Sequence, residues 1–272
     1  MLRAYKYRIY PTDEQKVLFA KTFGCCRFVY NWALNLKIEA YRQEKRSVAY
    51  KEVQDRLVNE LKKENQWLAE VNSQALLNSI RNLDIAYKNF FRDTHAVGFP
   101  RFKSRKNRQS FQCPQHCSVD FAEGTITIPK AKDIPAVLHR GFKGTVKTVT
   151  VSMTPSGRYF ASILVDTAIQ EQKTSEPVHD TAIGIDLGIK SLAVCSDGRT
   201  FGNPKNLPGS LDRLKVLQKR LSRKRKGSSN RNKARIRVAR LQEHIANCRK
   251  DNLHKITHEL THDNQVRTIC ME

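Results

Sequence analysis

The chain has 272 residues and 39% apolar content, which excludes a wholly disordered protein and leaves room for two or three domains. Its 49 lysines and arginines outnumber 26 acids, and the net charge of +23 indicates a polyanionic partner, with nucleic acid favoured over an anionic membrane surface. No apolar run approaches the roughly 20 residues of a membrane span. The start of the chain is also unlike a signal peptide, so we expect a cytoplasmic protein with no membrane partner.

The seven cysteines are odd in number and lie mostly in apolar patterns, as expected of reduced thiols. Only Cys113 and Cys117 resemble a metal-binding pair. A structural zinc site needs a second ligand pair, which this segment lacks, so the sequence disfavours zinc there.

The first part of the chain predicts one strand and then helices. Residues 2–10 alternate polar and apolar side chains, as a half-buried strand does. Thr12 to Gln15 (TDEQ) fits a capping box, and the apolar spacing after it predicts one or two helices, with Gly24 as a possible break. Further helical periodicity covers two segments, residues 50–61 and 73–91. Residues 12–92 are therefore expected to form a helical unit.

After the helical unit, the pattern changes to short alternating runs. Between residues 111 and 165 these runs are separated by turn signals, Glu123-Gly124 and Pro155-Ser156-Gly157. This composition predicts a small antiparallel barrel. Because the N-terminal strand would otherwise lack a partner, we predict that residues 1–11 and 93–172 form the barrel together and that the helices are an insertion.

Residues 180–272 predict a third unit with both strands and helices. Two strands come first, followed by a turn at Asp197-Gly198 and a short third strand. Two antiparallel helices separated by Gly227-Ser228-Ser229 come next, and a fourth strand ends at Glu272. The chain as a whole is therefore predicted to be an α+β multidomain protein.

Asp186 and Glu272 are the acids most suited to chemistry. Asp186 ends an apolar strand before a glycine turn, and Glu272 ends a later apolar run. Hydrolysis of a phosphodiester requires clustered carboxylates that hold a metal ion, and oxygen ligands suit Mg²⁺. In so basic a protein, the pair predicts a catalytic and metal-binding site of nuclease type. The alternative is an ordinary turn aspartate and a glutamate that never meet.

A second interpretation of the strand and turn at Asp186 is an ATP-binding module of the actin type, which begins with the same pattern. In that class, small hydroxyl residues follow the turn and line the nucleotide phosphates. Here Ile189 and Lys190 follow, and a second phosphate loop has no candidate, so the sequence disfavours this class.

Three basic segments are candidates for contact with nucleic acid. The run at 219–226 (KRLSRKRK) leaves the apolar helical stripe intact, which favours phosphate contact over a merely solvated face. Aromatic residues among the cations of 98–106 (GFPRFKSRK) and of the first strand suit a single-stranded partner, with buried aromatic residues as an equal alternative. The candidate contacts are Lys6, Arg8, Arg101, Lys103, Arg105, Lys106, Lys219, Arg220, Arg223, Lys224, Arg225 and Lys226.

Six motifs, taken in order, resemble the TnpB family, the OrfB "transposases" of bacterial and archaeal insertion sequences and relatives of type V CRISPR effectors. The resemblance spans the whole chain. The motifs are YKYRIYPTDEQ, RFVYN (27–31), AYKNFFR (86–92), GFPRFKSRK, GIDLGIKSLAV and LHKITHEL (253–260).

The resemblance implies a wedge-type β-barrel (1–11 and 93–172), an inserted helical recognition lobe (12–92) and a partial RuvC domain of ribonuclease-H-like fold (180–272). It also implies a guide RNA from the transposon end, a target double-stranded DNA and cleavage with Mg²⁺. Asp186 and Glu272 match the first two RuvC acids, and the basic helices would lie along the guide–target duplex. Such a protein is prokaryotic and nucleoid-associated.

The sequence departs from the family pattern after Glu272. The family continues with further strands and helices, a four-cysteine zinc ribbon and a third catalytic aspartate, and none of these occurs within the 272 residues. We therefore expect an RNA-guided DNA endonuclease lineage in a C-terminally shortened form that retains RNA and DNA binding. Cleavage is expected to be weakened, because two of the three acids hold the metal ions poorly. The alternative is a non-cleaving RNA-guided DNA-binding protein, such as a repressor or decoy.

Overall fold

The structure is a computed structural model that describes residues 1–93, 96–106, 108–167, 182–204, 208–262 and 268–271. The fold is mixed α/β and divides into two compact units, Met1–Gln170 and Glu171–Glu272. The first unit combines helices with an antiparallel sheet, and the second combines a smaller sheet with two long helices. None of the described helices is both long and apolar enough to cross a membrane.

The helices of the first unit follow the predicted positions. They are α1 (Asp13–Glu44), α2 (Tyr50–Arg56), α3 (Lys62–Glu64) and α4 (Ser73–Arg92). The capping box at the start of α1 is confirmed: the Gln15 N–H donates to Thr12 Oγ1 at 3.2 Å, and the Thr12 N–H donates to Gln15 Oε1 at 3.0 Å. The possible break at Gly24 was wrong, since α1 runs through it. The buried stripe from Phe19 to Leu34 continues on both sides of the glycine and stabilises one helix.

The segment between α2 and α4 holds two irregular turns that the periodicity does not predict. Leu57–Leu61 forms a π-helical turn, and Gln66–Glu70 forms a 3₁₀ turn. Val53, Leu57 and Leu61 are all buried at a strict spacing of four residues. In an α-helix, side chains spaced four residues apart rotate progressively around the helix axis and leave the buried face. The wider π turn keeps these three side chains against the core.

The sheet of the first unit has seven antiparallel strands in the order β2-β6-β7-β1-β5-β4-β3. These strands are β1 (Leu2–Ile9), β2 (Gln109–Cys113), β3 (Ser118–Asp120), β4 (Thr125–Ile128), β5 (Ala131–Val137), β6 (Thr145–Met153) and β7 (Tyr159–Asp166). β1 lies between β5 and β7, so the prediction that the N-terminal strand joins the strands after the helices is confirmed. Helix α1 packs on this sheet through Phe19 and Phe23, whose rings lie 5.7 and 5.4 Å from that of Phe111.

The second unit has a four-stranded sheet in the order β10-β9-β8-β11. Its elements are β8 (Ala182–Asp186), β9 (Ser191–Cys195), β10 (Thr200–Gly202), α5 (Pro208–Ser222), α6 (Ser229–Thr261) and β11 (Thr268–Met271). β8 pairs antiparallel with β9 and parallel with β11. Leu260 of α6 packs on Ile183, Ile185 and Cys195 to form a small core. The helix end thus covers one face of the sheet and fixes β8, the strand that ends in Asp186.

Candidate active site and nucleic-acid interface

Strand β8 places Asp186 at its last position, where the side chain is exposed. Asp186 lines a cavity of about 460 Å³ together with Gly184 and Ser196 from the β8–β9 hairpin. Cys270 and Met271 of β11 line the same cavity. The carboxylate is therefore open to a ligand at the edge of the sheet where β8 and β11 end.

The turn after Asp186 depends on a glycine. A Cβ atom at Gly188 would lie 2.9 Å from the Ser191 carbonyl oxygen, closer than side-chain carbons approach backbone. The Gly184 N–H donates to Ser196 Oγ at 3.0 Å, which holds the two strands of the hairpin together next to the acid. The tight turn and this hydrogen bond fix where the carboxylate of Asp186 emerges.

The second predicted acid, Glu272, lies outside the described residues. The parallel pairing of β11 with β8 extends to Met271 opposite Ile185, one residue before Asp186. Within the part of the chain that the structure describes, no group of three or more His, Cys, Asp or Glu residues is placed to hold a metal ion. Asp186 is the one carboxylate among the described residues that line this cavity, so the acid pair stays a prediction.

The hairpin of α5 and α6 brings predicted cations together. Arg220, Arg223 and Lys224 line a cavity of about 300 Å³, and Arg237 of α6, which the sequence analysis did not single out, completes it. The described residues of its lining include no acid. Four cations around one concave surface suit the phosphates of a polyanion. Lys219, Arg225 and Lys226 are exposed on the same hairpin.

Arg231 holds the C-terminal end of α5, a role that the sequence analysis missed. Its Nη1 donates hydrogen bonds of 2.8 Å to the carbonyl oxygens of Leu221 and Lys224. Carbonyl groups at the C-terminal end of a helix carry partial negative charge, so a guanidinium that donates to them stabilises this end. Ser228 begins α6 by accepting the Arg231 N–H at 3.2 Å. The sequence signal was an arginine three residues after a capping serine, a pattern too common to be specific.

We expect Arg231→Ala to loosen this hairpin. Loss of two hydrogen bonds from a charged donor is expected to cost about 1.5–3 kcal/mol of local stability. Thermal unfolding followed by circular dichroism will show an earlier loss of helical signal, with weaker polyanion binding at low temperature. Lys233→Ala, which removes an equal charge from an exposed site, is the control. Equal unfolding profiles for the two variants would contradict this role.

The motif RFVYN of α1 holds the basic segment of residues 101–106. The Asn31 amide donates to the Lys103 carbonyl at 2.9 Å and accepts the Lys103 N–H at 2.7 Å. Lys103 Nζ lies 3.8 Å from the centroid of the Tyr30 ring, and desolvation there lowers the pKa of Lys103. Arg27 Nη1 donates to Gln109 Oε1 at 3.0 Å just after this segment. The motif therefore gives the basic segment a fixed backbone.

The remaining predicted cations of the first unit lie on two elements. Arg101, Arg105 and Lys106 are exposed on the basic segment. On β1, Lys6 Nζ is 4.5 Å from the centroid of the Phe160 ring. The Arg8 guanidinium is 4.9 Å from the centroid of the Tyr10 ring. Both β1 cations stand over aromatic faces, as cation–π pairs do. Their contact with nucleic acid stays a prediction.

Sequence analysis also missed a polar cavity of about 100 Å³ between α1, α4 and β2. Asn82 in its lining donates to Gln112 Oε1 at 3.2 Å. Its lining includes Arg27, Asn78, Ser79, Lys103 and Arg108. These residues come from segments far apart in the chain, so no local pattern identifies them.

Two family models match the chain. A model described as "Helix-turn-helix domain", from the OrfB family, matches residues 1–46, and a model described as "Probable transposase" matches residues 162–270. In residues 1–46 the structure has a strand and one continuous helix rather than two helices joined by a turn.

Two curated relatives cover nearly all of the chain. A protein of Streptomyces pristinaespiralis, provisionally named an RNA-guided DNA endonuclease, is 38% identical over 98% of this chain and 66% of its own length. The similarly named InsQ of Escherichia coli strain K12 is 37% identical over 94% of this chain and 62% of its own. The chain thus spans just under two thirds of the length of these relatives.

Among solved structures, a Cas12f1 chain in a complex with sgRNA and target DNA matches 100% of this chain and 73% of its own length. Its TM-score is 0.37 and its sequence identity is 14%, so the two chains are only distantly alike. The family models and the curated relatives agree with the motifs from the first strand to β11. The chain belongs to the TnpB/OrfB family of insertion-sequence transposase proteins.

Proposed function

We propose that this chain is an RNA-guided DNA endonuclease of the TnpB type, which binds a guide RNA and a target double-stranded DNA. The observation that carries the proposal is the exposed Asp186 at the end of β8, in a cavity that the end of β11 also lines. The names of the curated relatives favour cleavage over the non-cleaving alternative of a repressor or decoy.

Asp186 and Glu272 are proposed as the catalytic acids and the ligands of Mg²⁺. This ion is commonly held by one or two carboxylates, with water and substrate phosphates completing its shell, so the exposed carboxylate of Asp186 fits such a role. When bound, Mg²⁺ would polarise the phosphodiester and lower the pKa of a bound water. The chain's own contribution is a carboxylate fixed by the Gly188 turn and open to the backbone of the nucleic acid.

The cations of α5 and α6 are proposed to hold phosphates of the guide–target duplex. Contacts with phosphates give affinity and register without reading the sequence. Pairing between guide and target would then supply the sequence choice. This division of roles explains why the cavity at Arg220, Arg223 and Lys224 needs charge and shape but no specific base contact.

We also propose a division of the chain into three domains. Residues 1–11 and 93–172 would form the wedge-type barrel, residues 12–92 the recognition lobe and residues 180–272 part of a RuvC domain. The position of β1 inside the sheet supports the first two assignments, because it makes the helices an insertion between paired strands. The parallel pairing of β8 and β11 supports the third. By analogy with the family, we further propose that the guide RNA comes from the transposon end and that the protein acts at the nucleoid.

Cleavage with a guide tests the proposed function directly. The protein is incubated with Mg²⁺, the guide RNA from the end of its own element, and linear DNA that carries either a matched or a scrambled target. We expect guide-dependent binding and cutting of the matched DNA alone. Binding without cutting would favour the non-cleaving alternative, and absence of guide-dependent binding would overturn the assignment.

A further inference from the structure

The end of α4 and the segment after it carry four aromatic rings that the proposed function does not use. This aromatic platform consists of Tyr87, Phe90, Phe91 and Phe99. Tyr87 and Phe91 are stacked, with centroids 6.1 Å apart and planes 21° apart. The Phe99 ring meets Tyr87 and Phe90 edge to face, each at 5.5 Å. The rings therefore form one contiguous group.

One side of the aromatic platform packs against the protein core, and the other side is exposed to solvent. Tyr87 packs against the core of the first unit, and Lys37 Nζ lies 5.4 Å from its ring centroid. Phe91, by contrast, is 71% exposed, and Phe99 is 45% exposed. A single exposed apolar side chain needs no explanation, but contiguous exposed rings on a rigid base indicate a binding surface.

The charge around the platform identifies the partner. Residues 96–106, which follow α4 and carry Phe99, contain Arg101, Lys103, Arg105 and Lys106 and no acid. The acids nearest in sequence are engaged within the protein: Asp84 pairs with Lys88 at 3.0 Å, and Asp93 accepts the Ala96 N–H at 3.0 Å. Exposed aromatic rings joined to a segment that carries four cations and no acid are typical of surfaces that bind single-stranded nucleic acid.

We propose that an unpaired base of a single-stranded nucleic acid stacks on Phe91, while cations of the segment 101–106 hold its flanking phosphates. A duplex cannot bind in this way, because its base faces are already stacked inside the helix. Every base has a π face, so the site will tolerate any sequence. The inference rests on the proposed function and adds to it a site for unpaired, single-stranded nucleic acid.

Photo-cross-linking and affinity measurements test this site. The full chain is titrated with an oligouridylate that contains iodouracil, a base that cross-links to stacked aromatic side chains, and with a strand of equal length whose bases are removed. Phe91→Leu keeps the apolar bulk and loses the ring, while Phe91→Tyr keeps the ring. Phe121→Leu, at an exposed phenylalanine on another part of the unit, is the matched control.

We expect a cross-link at position 91 in the unchanged protein and in Phe91→Tyr, and its loss in Phe91→Leu. Phe91→Leu will bind the base-bearing strand about tenfold more weakly, with no change for the abasic strand. Equal affinity of Phe91→Leu and Phe121→Leu for the base-bearing strand would overturn the inference. So would a change of oligomeric mass in Phe91→Leu without loss of the cross-link, which would indicate a protein partner instead.

The same experiment separates this inference from the proposed function. If the unchanged protein binds a guide-matched target but Phe91→Leu does so equally well and still cross-links, only the platform inference fails. If the unchanged protein binds neither single strands nor a guided target, the proposed function fails as well.

Discussion

Asp186→Asn is expected to abolish target cleavage while leaving guide and target binding nearly unchanged. The amide has almost the same shape as the carboxylate but lacks its charge, so it holds Mg²⁺ poorly. Loss of an outer-shell partner of a metal ligand costs about 10–100-fold in activity, and loss of a direct ligand is expected to cost at least about a hundredfold. Cleavage rate and target affinity measured in the same reactions will separate the two effects.

Asp212→Asn is the matched control for this variant. Asp212 belongs to the same unit, its side chain is 98% exposed, and its carboxylate is 3.6 Å from Lys215. The control removes the same charge from a site that does not line the Asp186 cavity, so it will cleave as the unchanged protein does. Equal cleavage by both variants would show that Asp186 is a turn residue and would remove the observation on which the proposed function rests.

Neutralising the four cations of the α5–α6 cavity is expected to cause the largest loss of binding. The variant with Arg220, Arg223, Lys224 and Arg237 all changed to Gln should bind an RNA–DNA hybrid duplex on the order of a hundredfold more weakly at moderate salt. Each lost phosphate contact also lowers the slope of log affinity against log salt by about one. Fluorescence anisotropy at several salt concentrations measures both quantities.

The control for this variant makes the same change in charge elsewhere. Gln at four exposed positions of the first unit, Arg42, Lys51, Lys63 and Lys132, lowers the net charge equally but leaves the cavity intact. A general effect of net charge would weaken both variants alike. A specific phosphate site predicts a large change in salt slope for the cavity variant alone.

Sequence predicted best where the determining contact is local. The capping box at Thr12 and Gln15 joins residues three apart, and the alternation of β1 shows directly which side chains are buried. The break at Gly24 was wrong because a single glycine costs only about 1 kcal/mol in a helix, less than burial of the stripe on both sides contributes.

The candidate site was harder to predict because it is formed by residues that are distant in sequence and meet only in the folded chain. Asp186 was predicted from its place at a strand end, but the cavity beside it requires the pairing of β8 with β11, whose partners are 86 residues apart. Arg231 was missed because its structural role depends on hydrogen bonds to carbonyl groups at the end of the preceding helix. Arg237 was missed because the helix hairpin, not the sequence, brings it to Arg220 and Lys224.

The place of β1 within its sheet has a consequence for synthesis. Its partners, Ala136–Val137 and Tyr159–Asp166, are made long after it. At about 5–20 residues per second, β1 waits on the order of ten seconds for them on the ribosome. An unpaired strand with Tyr7 and Ile9 on one face is an aggregation hazard during that interval. Its cations, Arg3, Lys6 and Arg8, would repel a second nascent chain until the strand is paired.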